Sequence, residues 1–293
     1  MTTAATTTTK LLVLGAGGML GHTVLRLFAD SPGFDVHGSA RSPRALARLR
    51  GDLHGRVHAG IDVEHFDALT RLFDQLRPQV VINCVGLVKQ LDAADDPLSA
   101  LPINAMLPHR LARLCSLAGA RLIHVSTDCV FAGTHGGYTE ADLPDAQDLY
   151  GRSKLLGEVS GEPHAITLRT SIIGPELGTA HGLVGWFLAQ RGSVKGYRRA
   201  VFSGLPTVEL ARVIRDHVLP HPQLHGLYHV SAAPIDKSSL LRLVGERYGH
   251  AVEIHPDDRV VINRSLDSTR FRAATGYEPP AWPELVARMH AFA

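Results

Sequence analysis

The chain has 293 residues, of which 45% are hydrophobic, enough for one large α/β domain or two smaller ones with a sizeable core. Thirty Lys and Arg against 28 Asp and Glu, with no basic run, argue against a nucleic-acid-binding protein, and no apolar stretch approaches the length of a membrane span. Three cysteines without CxxC spacing argue against a disulfide framework and favour a reducing, cytoplasmic location. The N-terminal MTTAATTTTK lacks the features of a signal peptide and is predicted to be a short disordered lead-in.

Short apolar runs alternate with helical patterns through the first two-thirds of the chain. Strands are predicted over 10–15, 34–39, 55–62, 78–86, 120–128 and 164–171. Helices are predicted over 17–30, 43–51, 64–76 and 102–119, with a further helix around Tyr150. Strands rich in Val, Ile and Leu, each followed by a helix, predict a Rossmann-type, doubly wound α/β fold with a parallel sheet covered on both faces.

The regular alternation fades after about residue 175. Amphipathic helices are predicted over 207–219 and 236–249, and short strands over 226–232 and 252–256. We therefore expect residues 1–175 to bind the cofactor and carry the catalytic groups. Residues 176–293 are expected to form a smaller α/β region that mainly binds substrate across a cleft.

A glycine-rich loop joins the first predicted strand to the first predicted helix. Gly15, Gly18 and Gly21 have the spacing G-x-x-G-x-x-G, with Met19 and Leu20 between the last two. Glycine permits a tight turn and close approach of the backbone to a pyrophosphate, and the helix N-terminus supplies free N–H groups. The loop therefore predicts a dinucleotide site.

The ends of the second and third strands indicate which dinucleotide is bound. The second strand ends in Ser39-Ala40-Arg41-Ser42, without the acid that NAD sites usually place there. Arg41 can pair with a 2′-phosphate, with Ser39 or Ser42 as a hydrogen-bond donor, so NADP(H) is favoured over NAD(H); a solvated surface arginine is the alternative. Asp62, followed by Val63, ends the third strand and is either a ligand of the adenine amino group or a helix N-cap.

Three further residues form a candidate catalytic set. Thr127 ends the fifth strand, and the carboxyl ends of strands are where open parallel sheets bind ligands. Tyr150 and Lys154 are four residues apart and share a helix face. An ammonium beside a phenol lowers the phenol's pKa, which suits proton transfer; a surface Tyr-Lys pair is the alternative.

The glycine loop, a strand-end Thr and Y-x-x-x-K in this order resemble the extended short-chain dehydrogenase/reductase superfamily. The segments GAGGMLG, STDCVFAG, YTEADLPDAQDLYGRSKLLGE and LRTSIIG, with the C-terminal RSLDSTRFRAATGYEPPAWPELVARM, resemble the dTDP-4-dehydrorhamnose reductase family. This resemblance covers roughly residues 10–290. It implies a homodimeric, NADPH-dependent reductase that acts on the 4-keto group of a nucleotide-diphosphate-linked deoxy sugar.

The resemblance also implies roles for individual residues. Tyr150 would donate a proton to the keto oxygen, Lys154 would lower the tyrosine's pKa and hold the nicotinamide ribose, and Thr127 would hydrogen-bond the keto oxygen. Asn104 would support the lysine region. The cofactor would also run past Cys84, Val85 and Gly86, and the substrate side would include Lys89, Asp128, Thr170 and Ser171. Lys89 and the basic cluster Lys195, Arg198 and Arg199 are candidates to bind the diphosphate, or are simply solvated cations.

Departures from the family pattern leave the exact sugar open. Cys129 stands where the family usually has an aromatic residue, and NCVGLVKQ (83–90) replaces a run of small residues. A UDP-linked N-acetylated keto sugar is therefore an alternative substrate. An NAD-retaining epimerase or dehydratase, and a non-catalytic regulatory subunit of the methionine adenosyltransferase type, are alternative functions. We expect no metal site, because no carboxylate or cysteine completes a ligand set around His217, His221, His225 and His229.

Overall fold

The computed structural model describes residues 8–89 and 92–293. Residues 1–7 of the predicted disordered lead-in lie outside the described residues, but Thr9 and Lys10 at its end belong to the first strand, so the prediction is wrong there. Its centre is a seven-stranded sheet in which every neighbouring pair of strands is parallel, in the order β11-β6-β5-β4-β1-β2-β3. The strands are β1 (Thr9–Leu14), β2 (Phe34–Ala40), β3 (Val57–Ala59), β4 (Val80–Asn83), β5 (Arg121–Thr127), β6 (Ala165–Thr170) and β11 (Gly226–His229). The predicted Rossmann-type, doubly wound sheet is confirmed.

Both faces of the sheet are buried, as the continuous apolar strands predict. Along β1, Leu11 and Val13 belong to one apolar cluster and Leu12 and Leu14 to the other, and all four are fully buried. This alternation arises because successive side chains of a strand point to opposite faces. Helices cover both faces of the sheet: α1 (Met19–Ala29), α2 (Phe66–Leu76), α3 (Pro97–Ala100), α4 (Leu107–Ala118) and α5 (Leu149–Leu156).

Two predicted helices differ from the structure. The segment predicted as one α-helix over 43–51 forms two 3₁₀ helices, Pro43–Arg48 and Gly51–Arg56. Pro43 starts the first, and the extended backbone of Leu49 ends it before the second starts at Gly51, so no continuous α-helical ladder forms. The helix predicted over 102–119 begins as a wider π-helical turn, Leu101–Met106, that leads into α4.

The second half of the chain packs directly on the first. Its strand β11 lies at the edge of the central sheet and pairs with β6. Its remaining strands form three small sheets: β7 (Ile172–Ile173) with β10 (Leu205–Pro206), β8 (Ser193–Tyr197) with β13 (Glu253–Asp257), and β9 (Ala200–Phe202) with β12 (Ile235–Asp236) and β14 (Ile262–Asn263). Its helices are α6 (Leu183–Ala189), α7 (Thr207–Val213), α8 (Lys237–Tyr248), α9 (Thr269–Thr275) and α10 (Trp282–Ala291). Within the described residues, no helix is both long enough and apolar enough to cross a membrane.

Candidate active site

The glycine loop has the geometry of a cradle for an anion. Gly15 has φ +80°, and a Cβ on Gly21 would lie 2.0 Å from the Gly15 carbonyl oxygen, so a side chain at Gly21 requires the loop to move. Gly18 precedes α1 as its N-cap without a side-chain hydrogen bond, and no acid occupies the first turn. The first N–H groups of α1, from Met19, Leu20 and Gly21, are therefore available to a pyrophosphate.

The end of β2 places one cation beside this loop. The Ala16 amide donates to the Ser39 carbonyl (2.8 Å), which fixes the glycine loop against β2, and the Ser39 side chain is buried. Arg41 follows the strand, is exposed, and makes no ion pair or hydrogen bond with any residue that the structure describes. The Ser42 hydroxyl accepts from the Arg44 amide and caps the first 3₁₀ helix. Arg41 is thus the side chain in this segment available for a 2′-phosphate.

Asp62 follows β3 at the other side of the predicted adenine position. Its carboxylate accepts a hydrogen bond from the Glu64 amide (3.0 Å), so the turn before α2 already uses one of its oxygens. The same carboxylate lines a surface cavity of about 480 Å³ together with Gly60 and His65. The helix N-cap interpretation of Asp62 is wrong, because α2 begins at Phe66 with His65 as its N-cap, and the ligand contact stays a prediction. Val63, the next residue, is buried.

The loop after β4 connects the glycine loop to the predicted catalytic helix. Gly15 lies against Cys84 and Val85, and burial raises the pKa of the Cys84 thiol to about 12. Asn104 accepts from the Leu87 amide (2.9 Å) and donates to the Leu87 carbonyl (3.1 Å).

The same Asn104 amide donates to the Ser153 hydroxyl (3.2 Å), next to Lys154. A Cβ on Gly86 would lie 3.4 Å from the Asn104 Oδ1 atom and 3.9 Å from the Lys154 ammonium, so the loop passes beside both groups. Asn104 therefore fixes the loop to α5 beside the lysine.

Helix α5 approaches the end of β5 closely. A Cβ on Gly151 would lie 2.3 Å from the Cys129 carbonyl oxygen, so glycine is required for this approach. Asp148 caps the helix by accepting from the Gly151 amide (2.7 Å). Tyr150 is half-buried, and Lys154 is buried with its ammonium donating to the Val125 carbonyl of β5 (2.9 Å). Thr127, Tyr150 and Lys154 are thus brought together at the carboxyl end of β5.

The electrostatics of this trio differ from the sequence-based expectation. Burial raises the pKa of Tyr150, the Cys129 thiol adds to that effect, and hydrogen bonding with Thr127 opposes it. The net direction is opposite to the expected lowering, because burial outweighs the hydrogen bond with Thr127. Burial lowers the pKa of Lys154 itself to about 8, although the Glu158 carboxylate opposes the change.

Two cations of the second region also reach this edge of the sheet, and the sequence interpretation missed both. Burial raises the pKa of Asp128, while Arg264 and Lys237 act to lower it. Arg264 donates through Nε to the Phe131 carbonyl (2.7 Å) and through Nη1 to the Cys129 sulfur (3.8 Å). No local pattern marks Lys237 or Arg264, because each is separated from Asp128 by more than one hundred residues of chain.

A buried ion pair lies behind the catalytic helix and was also missed. Arg169 binds Glu158 through Nε (2.9 Å) and Nη2 (2.6 Å), and its Nη1 bonds the His229 Nε2 atom (2.9 Å). Ser126 donates to the same carboxylate (2.7 Å). Glu158 is four residues after Lys154, so this pair holds a negative charge near the lysine. The helical spacing of Glu158 and Lys154 was the available signal.

The residues predicted for the substrate side differ in burial and in the groups that they bind. Thr170 is buried and is the register partner of Thr127 on the neighbouring strand, and the Ser171 carbonyl accepts from the Leu205 amide (2.8 Å). Lys89 donates to Asp148 (2.6 Å), so its ammonium lies against the cap of α5. Burial acts to raise the pKa of Asp148, but the hydrogen bonds from Lys89 and Gly151 outweigh it and lower that pKa.

The predicted basic cluster and histidine series are placed on the second region. Arg198 pairs with Asp258, and Lys195 and Arg199 are exposed. Across residues 8–89 and 92–293, no group of three or more His, Cys, Asp or Glu side chains could hold a metal ion. His217, His221, His225 and His229 instead contact separate backbone carbonyls.

Residues 9–240 match the family model described as the RmlD substrate binding domain. The chain is 25% identical over 308 residues to a dTDP-4-dehydrorhamnose reductase from Aggregatibacter actinomycetemcomitans, with 97% of this chain and 99% of that protein aligned. It is 30% identical over 149 residues to the Methionine adenosyltransferase 2 subunit beta of Mus musculus, with 51% of this chain and 41% of that protein aligned. A solved structure of dTDP-4-dehydrorhamnose reductase from Bacillus anthracis str. Ames in complex with NADP has the same fold: TM-score 0.78, 21% identity, 97% of this chain and 99% of that chain covered.

Proposed function

This chain belongs to the dTDP-4-dehydrorhamnose reductase family, and we propose from that premise that it is an NADPH-dependent reductase. Its substrate is a nucleotide-diphosphate-linked deoxy sugar, and it reduces the 4-keto group of that sugar. One observation carries the proposal: Thr127, Tyr150 and Lys154 meet at the carboxyl end of β5, on the edge of the sheet that also holds the uncapped N-terminus of α1.

The residues on the cofactor side fit a dinucleotide that carries a 2′-phosphate. The glycine loop leaves no space for a side chain at Gly21, and the N–H groups of α1 have no side-chain cap. Arg41 has no protein partner among the described residues, which leaves its guanidinium free to bind the 2′-phosphate. Ser39, Asp62, Val63, Cys84, Val85 and Gly86 complete the proposed cofactor contacts.

The chemistry divides among the three catalytic residues. Bound NADPH supplies a hydride to the carbonyl carbon. The raised pKa of Tyr150 keeps its phenol protonated at neutral pH, so Tyr150 donates that proton as the keto oxygen becomes an alkoxide. Thr127 donates a second hydrogen bond to the same oxygen. Lys154 remains charged below about pH 8 and binds the nicotinamide ribose. Asp128, Thr170, Ser171 and Lys89 line the substrate side.

Oxidation of NADPH by the purified protein tests this function. We expect turnover with dTDP-4-dehydrorhamnose, made in situ by its epimerase, or with UDP-linked 4-keto N-acetyl sugars in a parallel panel. Turnover with one panel names the nucleotide. Stoichiometric NAD in the purified protein, with no net NADPH oxidation, would instead identify an epimerase or dehydratase.

The similarity to the methionine adenosyltransferase subunit favours a second candidate function, a regulatory subunit. The assembled trio of Thr127, Tyr150 and Lys154 favours catalysis over that role. Co-purification with a synthetase subunit, together with no turnover on either sugar panel, would reverse the order of the two candidates.

We also propose the division of labour between residues 1–175 and 176–293, and a cytoplasmic homodimer. Helix α5 and the π-helical turn pack together, and each exposes an apolar side chain, Leu156 (61%) and Met106 (46%). Cys84, Cys115 and Cys129 are all free thiols, which suits a reducing compartment. Light scattering measures the mass in solution, and cell fractionation measures the location.

A further inference from the structure

We propose that Lys237 and Arg264 form the subsite for the sugar-side phosphate of the substrate's nucleoside diphosphate. This inference rests on the proposed reductase function and names a part of its substrate site. The two cations come from separate segments of the second region and meet beside Asp128 and Cys129, directly after Thr127.

The first argument is the direction of the Lys237 side chain. Its ammonium lies 4.2 Å from the centroid of the Phe202 ring, a cation–π contact, and is half-buried. A lysine normally extends its charge into water, but here burial lowers the pKa of Lys237. Within residues 8–89 and 92–293 this ammonium makes no hydrogen bond and no ion pair, so its three donors remain available.

The second argument is the position of Lys237 in its helix. It is the first residue of α8, where the positive end of the helix dipole opposes a cation. The N-cap, Asp236, directs its carboxylate to the Ser239 amide (2.9 Å) and hydroxyl (2.6 Å) instead of to the lysine. The Phe202 ring and the charge of Asp128 stabilise the ammonium, but among the described residues it has no hydrogen-bond acceptor, as is common where a residue serves a ligand.

The third argument is the way Arg264 is held. Its Nε and Nη1 atoms are fixed by the Phe131 carbonyl and the Cys129 sulfur, so the plane of the guanidinium is set. Its Nη2 atom makes no hydrogen bond within the described part of the chain. A preorganised guanidinium with an available donor matches a phosphate oxygen.

The fourth argument is the charge balance. Lys237 and Arg264 share one acid, Asp128, and burial raises the pKa of that acid, so this group of three is net positive. Of the cations predicted from sequence, Lys89 is paired with Asp148 and Arg198 with Asp258, whereas Lys195 and Arg199 are exposed to solvent. An anion bound at the edge of the site beyond Thr127 therefore gains the most favourable electrostatic interaction.

Substrate chemistry sets which anion that is. The keto oxygen lies at Thr127 and Tyr150, and the phosphate attached to the sugar ring leaves the ring on the side away from that oxygen. In the proposed subsite, Lys237 and Arg264 bind the sugar-side phosphate across the sugar ring from the keto oxygen. A nucleoside diphosphate carries the phosphate that reaches this subsite, whereas a nucleoside monophosphate does not.

Calorimetric titration of the NADP⁺-saturated protein with dTDP, UDP, dTMP and UMP tests the subsite. Lys237→Met should lower the affinity for whichever diphosphate binds by about tenfold, because one charge-assisted contact to phosphate is lost. It should change the affinity for the monophosphates by less than about twofold. Arg247→Met is the matched control, since Arg247 is an exposed cation in the last turn of the same helix. It should leave both classes of nucleotide unchanged.

Thermal unfolding separates a binding role from a structural one. Lys237→Met should keep or raise the melting temperature, because it removes a cation from the positive end of a helix, whereas Arg247→Met should lower it slightly. Lys237→Arg should restore diphosphate affinity to within about threefold, because it restores the cation.

Equal losses for diphosphates and monophosphates, or no loss for either, would overturn the subsite. Absence of turnover on every keto sugar, with the diphosphate-specific loss preserved, would instead refute the reductase function and leave the subsite standing.

Discussion

The two sides of this active site are constructed in different ways. The cofactor side is largely local: the glycine loop, the first turn of α1 and the end of β2 lie within residues 15–42. The substrate side joins groups that are far apart in sequence, such as Cys129 with Arg264, 135 residues away. The cofactor side offers mostly backbone N–H groups, and the substrate side offers mostly buried, charged side chains. Mutations on the cofactor side should therefore act mainly through the space around the backbone, and mutations on the substrate side mainly through charge and proton transfer.

The strongest contrast should come from Tyr150→Phe, which removes one proton donor from the substrate side. We expect kcat to fall by about 10²–10⁴-fold, the usual contribution of a positioned acid, with NADPH affinity nearly unchanged. Stopped-flow hydride transfer and fluorescence titration of NADPH measure the two quantities. Tyr248→Phe is the control, because the Tyr248 hydroxyl is buried without a partner among the described residues. Substantial activity in Tyr150→Phe would refute the assigned role.

In the glycine loop on the cofactor side, added side-chain volume should have the main effect on stability and on NADPH binding. Gly21→Ala adds a Cβ that would lie 2.0 Å from the Gly15 carbonyl oxygen. We expect a loss of about 1–3 kcal/mol in the free energy of unfolding, with weakened NADPH binding, since the loop must shift. Gly51→Ala is the control, because its Cβ would meet no atom within 4 Å. Urea denaturation and NADPH titration measure both variants, and equal behaviour of the two would contradict the tight-loop interpretation.

One charged side chain should matter on the cofactor side. Arg41→Ala should reduce the preference for NADPH over NADH by about tenfold, because one charge-assisted contact to the 2′-phosphate is lost. The ratio of kcat/KM for the two cofactors measures the effect. Arg113→Ala, at an exposed arginine of α4, should leave the ratio unchanged. A preference for NADH that survives Arg41→Ala would exclude the assignment.

The smallest effect is a pH dependence that comes from Lys154, the residue between the two sides. Burial lowers the pKa of Lys154 to about 8, so its ammonium is charged below that pH and loses its proton above it. We expect kcat/KM to fall as pH rises through about 8. Unfolded Lys154 still binds its proton between about 8 and its ordinary value near 10.4, so this group stabilises the fold as pH rises there. Circular dichroism over the same range should show folded protein while activity falls.

The same division explains what could be predicted from the sequence. Periodicity, the glycine spacing and the Tyr150–Lys154 interval are local patterns, and they predicted the sheet, the loop and the catalytic helix. Lys237 and Arg264 carry no local signal, because only the tertiary packing of the segments that hold them brings them near Asp128. The direction of the Tyr150 pKa failed for a related reason: spacing places the lysine on the same helix face but does not show that burial dominates.

The pairing of β11 with β6 has a consequence for synthesis of the protein. Strand β6 ends at Thr170, but its edge partner begins only at Gly226, so more than fifty residues leave the ribosome between them. During that interval the nascent chain presents β6 as an unpaired edge with free N–H and C=O groups. The late strand therefore protects the growing sheet from pairing with other chains, and slow translation through 171–225 prolongs the period in which that protection is missing.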